Sequence, residues 1–156
     1  MAVREGQSAF FQVPAAGVTP VPFARLAPNV FAMRQSVDGR LIFYIKGSGQ
    51  DRVVWSMPVA GGQPREVFRF EGQLRRLEPT ATGIYFQTDP LVAIGRTPSK
   101  PSELSFYRFP NGPPAKVAGV EAMSPYGFSI SPDARYLLYT KWASLGSDLM
   151  LVENFK

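Results

Sequence analysis

Apolar residues in this 156-residue chain fall in short runs, each bounded by glycine, proline or an aspartate turn, and no helical periodicity outlasts two turns between the breakers. Three runs share one form: "SVDGRLIFYI" (36–45), "TATGIYFQT" (80–88) and "SPDARYLLYT" (131–140) each place a turn dipeptide before a β-branched and aromatic stretch. Each predicts a tight turn feeding an apolar strand.

A second element recurs. "FFQVPAAGVTPVPFARL" (10–26) pairs without a gap with "VWSMPVAGGQPREVFRF" (54–70), forty-four residues on; Pro14/Pro58, Ala16/Ala60, Gly17/Gly61, Pro20/Pro64 and Arg25/Arg69 are identical. The apolar positions also agree in kind, Phe11 with Trp55, Val13 with Met57 and Phe23 with Val67. A third copy, "FYRFPNGPPAKVAGV", sets Phe106, Tyr107, Phe109 and Pro110 against Val54, Trp55, Met57 and Pro58. Self-similarity at this period, with four short antiparallel strands per unit, is the signature of a β-propeller blade.

The expected fold is therefore all-β, a partial propeller. Residues 1–28 give strands C and D of an incomplete blade, 29–71 a blade, 72–120 a second, and 121–156 an incomplete final blade whose strands A, B and C fall within 125–153. That makes about three and a quarter blades, where closed rings hold about four to eight. Bare strand edges follow, and two arrangements would cover them: a longer protein of which this is the C-terminal part, or copies that complete one ring. The mid-blade start favours the first.

Composition fits: 14 Gly, 15 Pro and 13% aromatic residues suit a turn-rich β chain, and 45% hydrophobic content supports a core. With no Cys, neither a disulfide nor a thiolate metal site can form. Arg4, Glu5, Gln7 and Gln12 interrupt any signal-peptide core, and no run is long enough for an apolar membrane helix, so as written a soluble chain is expected. The compartment of a parent protein is left open.

"SPDARYLLYTKWASLGSDLMLVENF" (131–155) resembles the final blade of the TolB-like, WD-repeat-like bacterial propellers, which carry Ser-Pro-Asp-Gly-Arg before strand B; Ser131, Pro132, Asp133 and Arg135 match, and Ala134 replaces the glycine. The ending 148–155 is similar to the closing strand of propellers attached to bacterial winged-helix regulators and serine/threonine kinases, and segments like "VWSMPVAGG" are frequent in the same family. The resemblance implies a sensor or scaffold propeller. It covers the blades alone, since no phosphate loop, kinase catalytic loop or recognition helix is present.

Chemistry narrows the function further. With no His, the commonest general base and metal ligand is missing, and no Gly-x-Ser-x-Gly elbow occurs, so no catalytic residue, metal or cofactor is expected. Asp38 and Asp133 are read as turn-formers rather than cation ligands, and Phe11, Trp55 and Tyr107 as blade-packing aromatics rather than a ligand cage. The long loop "TDPLVAIGRTPSKPSE" (88–103) is the candidate binding segment, carrying Asp89, Arg96, Lys100 and Glu103, with a packing role as the alternative.

Seventeen basic against twelve acidic residues give a net +5, but only Arg75 and Arg76 are adjacent among the arginines and no strand interleaves cations with stacking aromatics. Nucleic acid is not the expected partner. The expectation is a non-catalytic binding module with a protein or peptide partner, or alternatively an accessory propeller of a hydrolase or kinase whose catalytic domain lies elsewhere; self-association through open edges is a third arrangement.

Overall fold

Strand β4 (Leu41–Ser48) holds four consecutive buried residues, Ile42, Phe43, Tyr44 and Ile45. A strand alternates its side chains between two faces, so four in a row can be buried only if both faces of the sheet are covered. Phe43 and Ile45 enter one core, and Ile42 and Tyr44 enter another on the opposite face.

These relations come from a computed structural model that describes residues 9–12, 17, 19, 21–25, 29–48, 51–89, 101–120, 123–131 and 133–141. Among them there is no helix, and hence none long and apolar enough to cross a membrane. The strands are β1 (Ala9–Gln12), β2 (Val21–Arg25), β3 (Val30–Gln35), β4, β5 (Asp51–Pro58), β6 (Arg65–Glu71), β7 (Gln73–Pro79), β8 (Gly83–Asp89), β9 (Ser102–Arg108), β10 (Ala115–Val120), β11 (Met123–Ile130) and β12 (Leu137–Lys141). They form two four-stranded antiparallel sheets, β3-β4-β5-β6 and β7-β8-β9-β10, and two hairpins, β1-β2 and β11-β12. The expected third strand of the final blade lies outside the described residues.

The repeat read from the sequence extends to the hydrogen-bond register. Val53 pairs with Arg69, Val54 with Phe68, Trp55 with Glu66 and Ser56 with Arg65, with a bulge between Val54 and Trp55. Ala9 with Arg25, Phe10 with Ala24, Phe11 with Pro22 and Gln12 with Val21 form the same ladder forty-four positions earlier, bulge included. The β1-β2 hairpin thus has the pairing of the β5-β6 half of a blade.

The β11-β12 hairpin has the pairing of the β3-β4 half. Ile130 opposes Leu137 as Gln35 opposes Ile42, and the turns coincide: Ser36 N donates to Leu41 O at 2.8 Å and Ser131 N to Tyr136 O at 2.9 Å. Each turn has a residue in the left-handed region, Gly39 at φ 72° and Ala134 at φ 56°. Glycine reaches that region without strain and alanine does not.

The two full sheets stack through one aromatic core. Phe68 of the first lies 5.1 Å from Phe86 and 4.5 Å from Tyr107 of the second, ring centre to ring centre, and Phe43 stacks on Phe109 at 5.8 Å. Leu74, Leu77, Ile84, Ile45 and Val54 fill the remainder of this interface. Arg34 and Glu78 tie β3 to β7 by an ion pair of 3.0 Å, and an Arg52 guanidinium N–H donates to the Leu74 carbonyl. The far face of the second sheet packs Leu104, Tyr85 and Val120 against Phe128, Ile130 and Leu137 of the β11-β12 hairpin.

Because Phe86 is fully buried between the sheets, Phe86→Ala is expected to lower unfolding stability by about 3–5 kcal/mol in a urea titration. Ala134→Gly is expected to act the other way. Relief of the left-handed alanine should raise stability by roughly 0.5–1 kcal/mol, read as a higher urea midpoint with an unchanged slope.

Candidate functional site

Where the two full sheets meet, their turns leave a groove with a cavity of about 740 Å³. Phe43 of β4, Tyr107 at the end of β9 and Phe109 just beyond it supply the aromatic floor, and Val67 of β6 is the aliphatic wall. The rim is polar. It is built by the β3-β4 turn with Ser36 and Asp38, the β7-β8 turn with Thr80, Asn111 after β9, and Arg65 and Glu66 at the start of β6.

Most polar groups there are already engaged. The Tyr107 hydroxyl donates within a short span shared by the Val67 carbonyl at 3.1 Å and the Pro110 carbonyl at 2.7 Å, so it braces the floor against both sheets. Asp38 accepts from the Ser36 hydroxyl at 2.6 Å and from the Arg40 backbone N–H at 3.1 Å. Glu66 pairs with Arg69, which also holds Asp51. Arg65 is exposed and has no ion-pair partner among the described residues.

The turn aspartates sit in matching surroundings. Asp133 accepts from the Ser131 hydroxyl at 2.6 Å and from the Arg135 N–H at 3.1 Å, as Asp38 does from its own turn. The serine hydroxyl first, and the backbone N–H next, hold both carboxyls below the ordinary carboxylate range. Among the described residues no cluster of metal-ligating side chains surrounds either one.

The aromatic repeat positions are placed as follows. Trp55 is partly buried against Val30, Ile42, Tyr44 and Met57, with the Lys46 ammonium 5.7 Å from its ring centre. Tyr107 is buried in the interface between sheets. The ladders set Tyr107 opposite Ile84 as Met57 stands opposite Ile42, which makes Ser105 the residue level with Trp55. The sequence alignment, keyed on Pro58 and Pro110, runs two residues ahead of the ladder. A slip of two keeps every side chain on its face, so apolar pattern alone does not expose it. Phe11, expected to pack between blades, is 54% exposed.

Of the long-loop candidates, Arg96 and Lys100 lie outside the described residues. Asp89 ends β8 opposite Gln73, and Glu103 pairs with Lys116 at 2.7 Å across β9 and β10. Of the groove residues, Arg65 and Phe43 were not singled out by sequence, and Phe109 only as a repeat position. The nearest signal was the aromatic run Phe106-Tyr107-Arg108-Phe109, which announces a packed strand without saying what it leaves open.

Stacked antiparallel four-stranded sheets of this kind make the chain a portion of a β-propeller. Two solved structures carry the same arrangement. TolB from Acinetobacter baumannii superposes with a TM-score of 0.58 at 16% identity, over 81% of this chain and 30% of that one. A prolyl endopeptidase superposes with a TM-score of 0.53 at 14% identity, over 88% of this chain and 25% of that one. The chain thus spans less than a third of either. No protein-family model matches the sequence. No curated protein matches it.

The two turn carboxylates imply a definite acid response. Groups with a depressed folded-state pKa stabilise the fold above the ordinary carboxylate value, and that contribution is lost as pH falls through the depressed one. Asp38→Asn with Asp133→Asn keeps an acceptor oxygen in each turn and removes the titration. Its melting temperature is expected to fall less steeply than the parent's below about pH 4; parallel curves would contradict the assignment.

Proposed function

We propose that this chain is a non-catalytic binding module, a propeller portion of a larger sensor or scaffold protein, and that it takes an extended protein segment in the groove between its two full sheets. The observation that carries the reading is the groove itself. It combines an aromatic floor, a volume in the range of ligand sites and one uncommitted cation, Arg65, on a rim whose carboxylates are already held. A braced floor is rigid before anything binds, so little ordering entropy opposes association.

Strand β6 supports an extended occupant in particular. It stands at the end of its sheet, and its first residues form one wall of the groove. A peptide laid along such an edge gains backbone hydrogen bonds, while alternate side chains reach the aromatic floor. Arg65 selects for a carboxylate in that segment. A binding role is further supported by what the groove lacks for chemistry, since Asp38 and Glu66 accept hydrogen bonds from neighbours and the chain has no His or Cys.

A library of short unstructured peptides, screened against the immobilised chain, tests this. Binders enriched in an acidic residue beside apolar ones are expected, with affinity reduced about tenfold by Arg65→Glu and by Phe109→Ala. Arg135→Glu makes the same charge reversal at a residue that does not line the groove and should leave binding near the parent level. Absence of binders, or equal losses from both arginine variants, would sink the proposal.

A further inference from the structure

One row of paired residues crosses the first full sheet at the groove. Phe43 of β4 pairs with Ser56 of β5, and Ser56 pairs with Arg65 of β6. Residues directly opposite in an antiparallel ladder carry their side chains on one face, and neighbouring strands lie about 4.8 Å apart. An aromatic ring, a hydroxyl and a guanidinium therefore follow one another across the groove wall, and all three residues line the cavity. The Ser36, Thr80 and Tyr107 hydroxyls of the groove already donate to Asp38, to the Gly83 carbonyl and to the Val67 and Pro110 carbonyls. Ser56 is half-buried, and among the described residues neither its hydroxyl nor the Arg65 guanidinium has a partner.

The charges around that row are unequal. Arg65, Glu66 and Asp38 are the charged residues lining the groove, one positive and two negative. Glu66 follows Arg65 in the chain and is held by Arg69 at 3.3 Å. Asp38 stands in the β3-β4 turn, where the Ser36 hydroxyl and the Arg40 N–H keep its carboxyl ionised at neutral pH. The positive potential that Arg65 offers a ligand is thus reduced by two standing carboxylates.

We infer that Ser56 and Arg65 together clasp the carboxylate of a bound segment and that the groove rejects the same segment when a phosphorylated side chain stands in that place, which rests on the groove being a site for an extended peptide. A carboxylate brings one charge and two acceptor oxygens, one for the guanidinium N–H groups and one for the Ser56 O–H. A phosphoserine brings about −1.5 to −2 charges near neutral pH. Attraction to Arg65 grows in proportion to the ligand's charge, whereas the cost of stripping water from it grows roughly as the square. With Glu66 and Asp38 beside the clasp, a second negative charge gains little attraction and adds the larger cost. Phosphorylation of the partner segment at this position therefore releases it, and the two rim carboxylates are what make the groove selective.

Three pools of end-blocked peptides test this, alike in degenerate apolar flanks and differing only in a central glutamate, phosphoserine or glutamine. At about pH 7.5 the glutamate pool is expected to bind about tenfold more tightly than either of the others. Ser56→Ala should weaken the glutamate pool about tenfold and the glutamine pool by less, because a hydrogen bond to a charged acceptor is the stronger one. Glu66→Gln should narrow the ratio between the glutamate and phosphoserine pools. At about pH 5.5, below the second phosphate pKa of about 6, the phosphoserine pool should gain affinity while the glutamate pool holds steady, since the chain has no His to titrate in between. Equal binding of the glutamate and phosphoserine pools, or full glutamate affinity in Ser56→Ala, overturns the clasp and leaves the peptide groove standing. No binding by any pool overturns both.

Discussion

Burial of both faces of each four-stranded sheet is the constraint on which this architecture rests. A sheet with one apolar face can stand against solvent, but β4 places Phe43 and Ile45 on one side and Ile42 and Tyr44 on the other, so the sheet needs a neighbour on each. The second full sheet meets that demand through Phe86, Tyr107 and Ile84, and its far face passes the same demand to the β11-β12 hairpin. Order therefore propagates from sheet to sheet.

The groove is a consequence of that stacking. Two twisted sheets packed at their centres diverge where their turns begin, and the aromatic groups at the end of β9 come to lie beside the start of β6. Tyr107 serves both purposes. Its ring belongs to the core with Phe68, and its hydroxyl secures the Val67 and Pro110 carbonyls at the groove floor. Rigidity of the groove and stability of the interface are one property.

Much of this fold could be read from the residues. The gapless match of 10–26 with 54–70 carried the register of two ladders and a shared bulge, because the spacing of proline and glycine fixes turn length and turn length fixes pairing. Asp-Gly and Asp-Ala likewise announced two superimposable turns. The groove was not legible, since it depends on Phe43 meeting Phe109 from the other sheet, a relation that no local spacing encodes. Nor was the true partner of Tyr107. A two-residue slip between repeats preserves hydrophobic pattern and changes only which carbonyl a hydroxyl can reach.

The passage from the first full sheet to the second occupies a single residue, Gly72, between Glu71 at the end of β6 and Gln73 at the start of β7. Its φ of 135° is open to glycine, and a side chain there would meet the Phe70 ring at 2.9 Å. A link this short carries no slack. Tension along the chain passes straight from one ladder to the next, loading Asp51 with Glu71 and Gln73 with Asp89 before any spacer can stretch. The two sheets are thus joined end to start with no spacer between them.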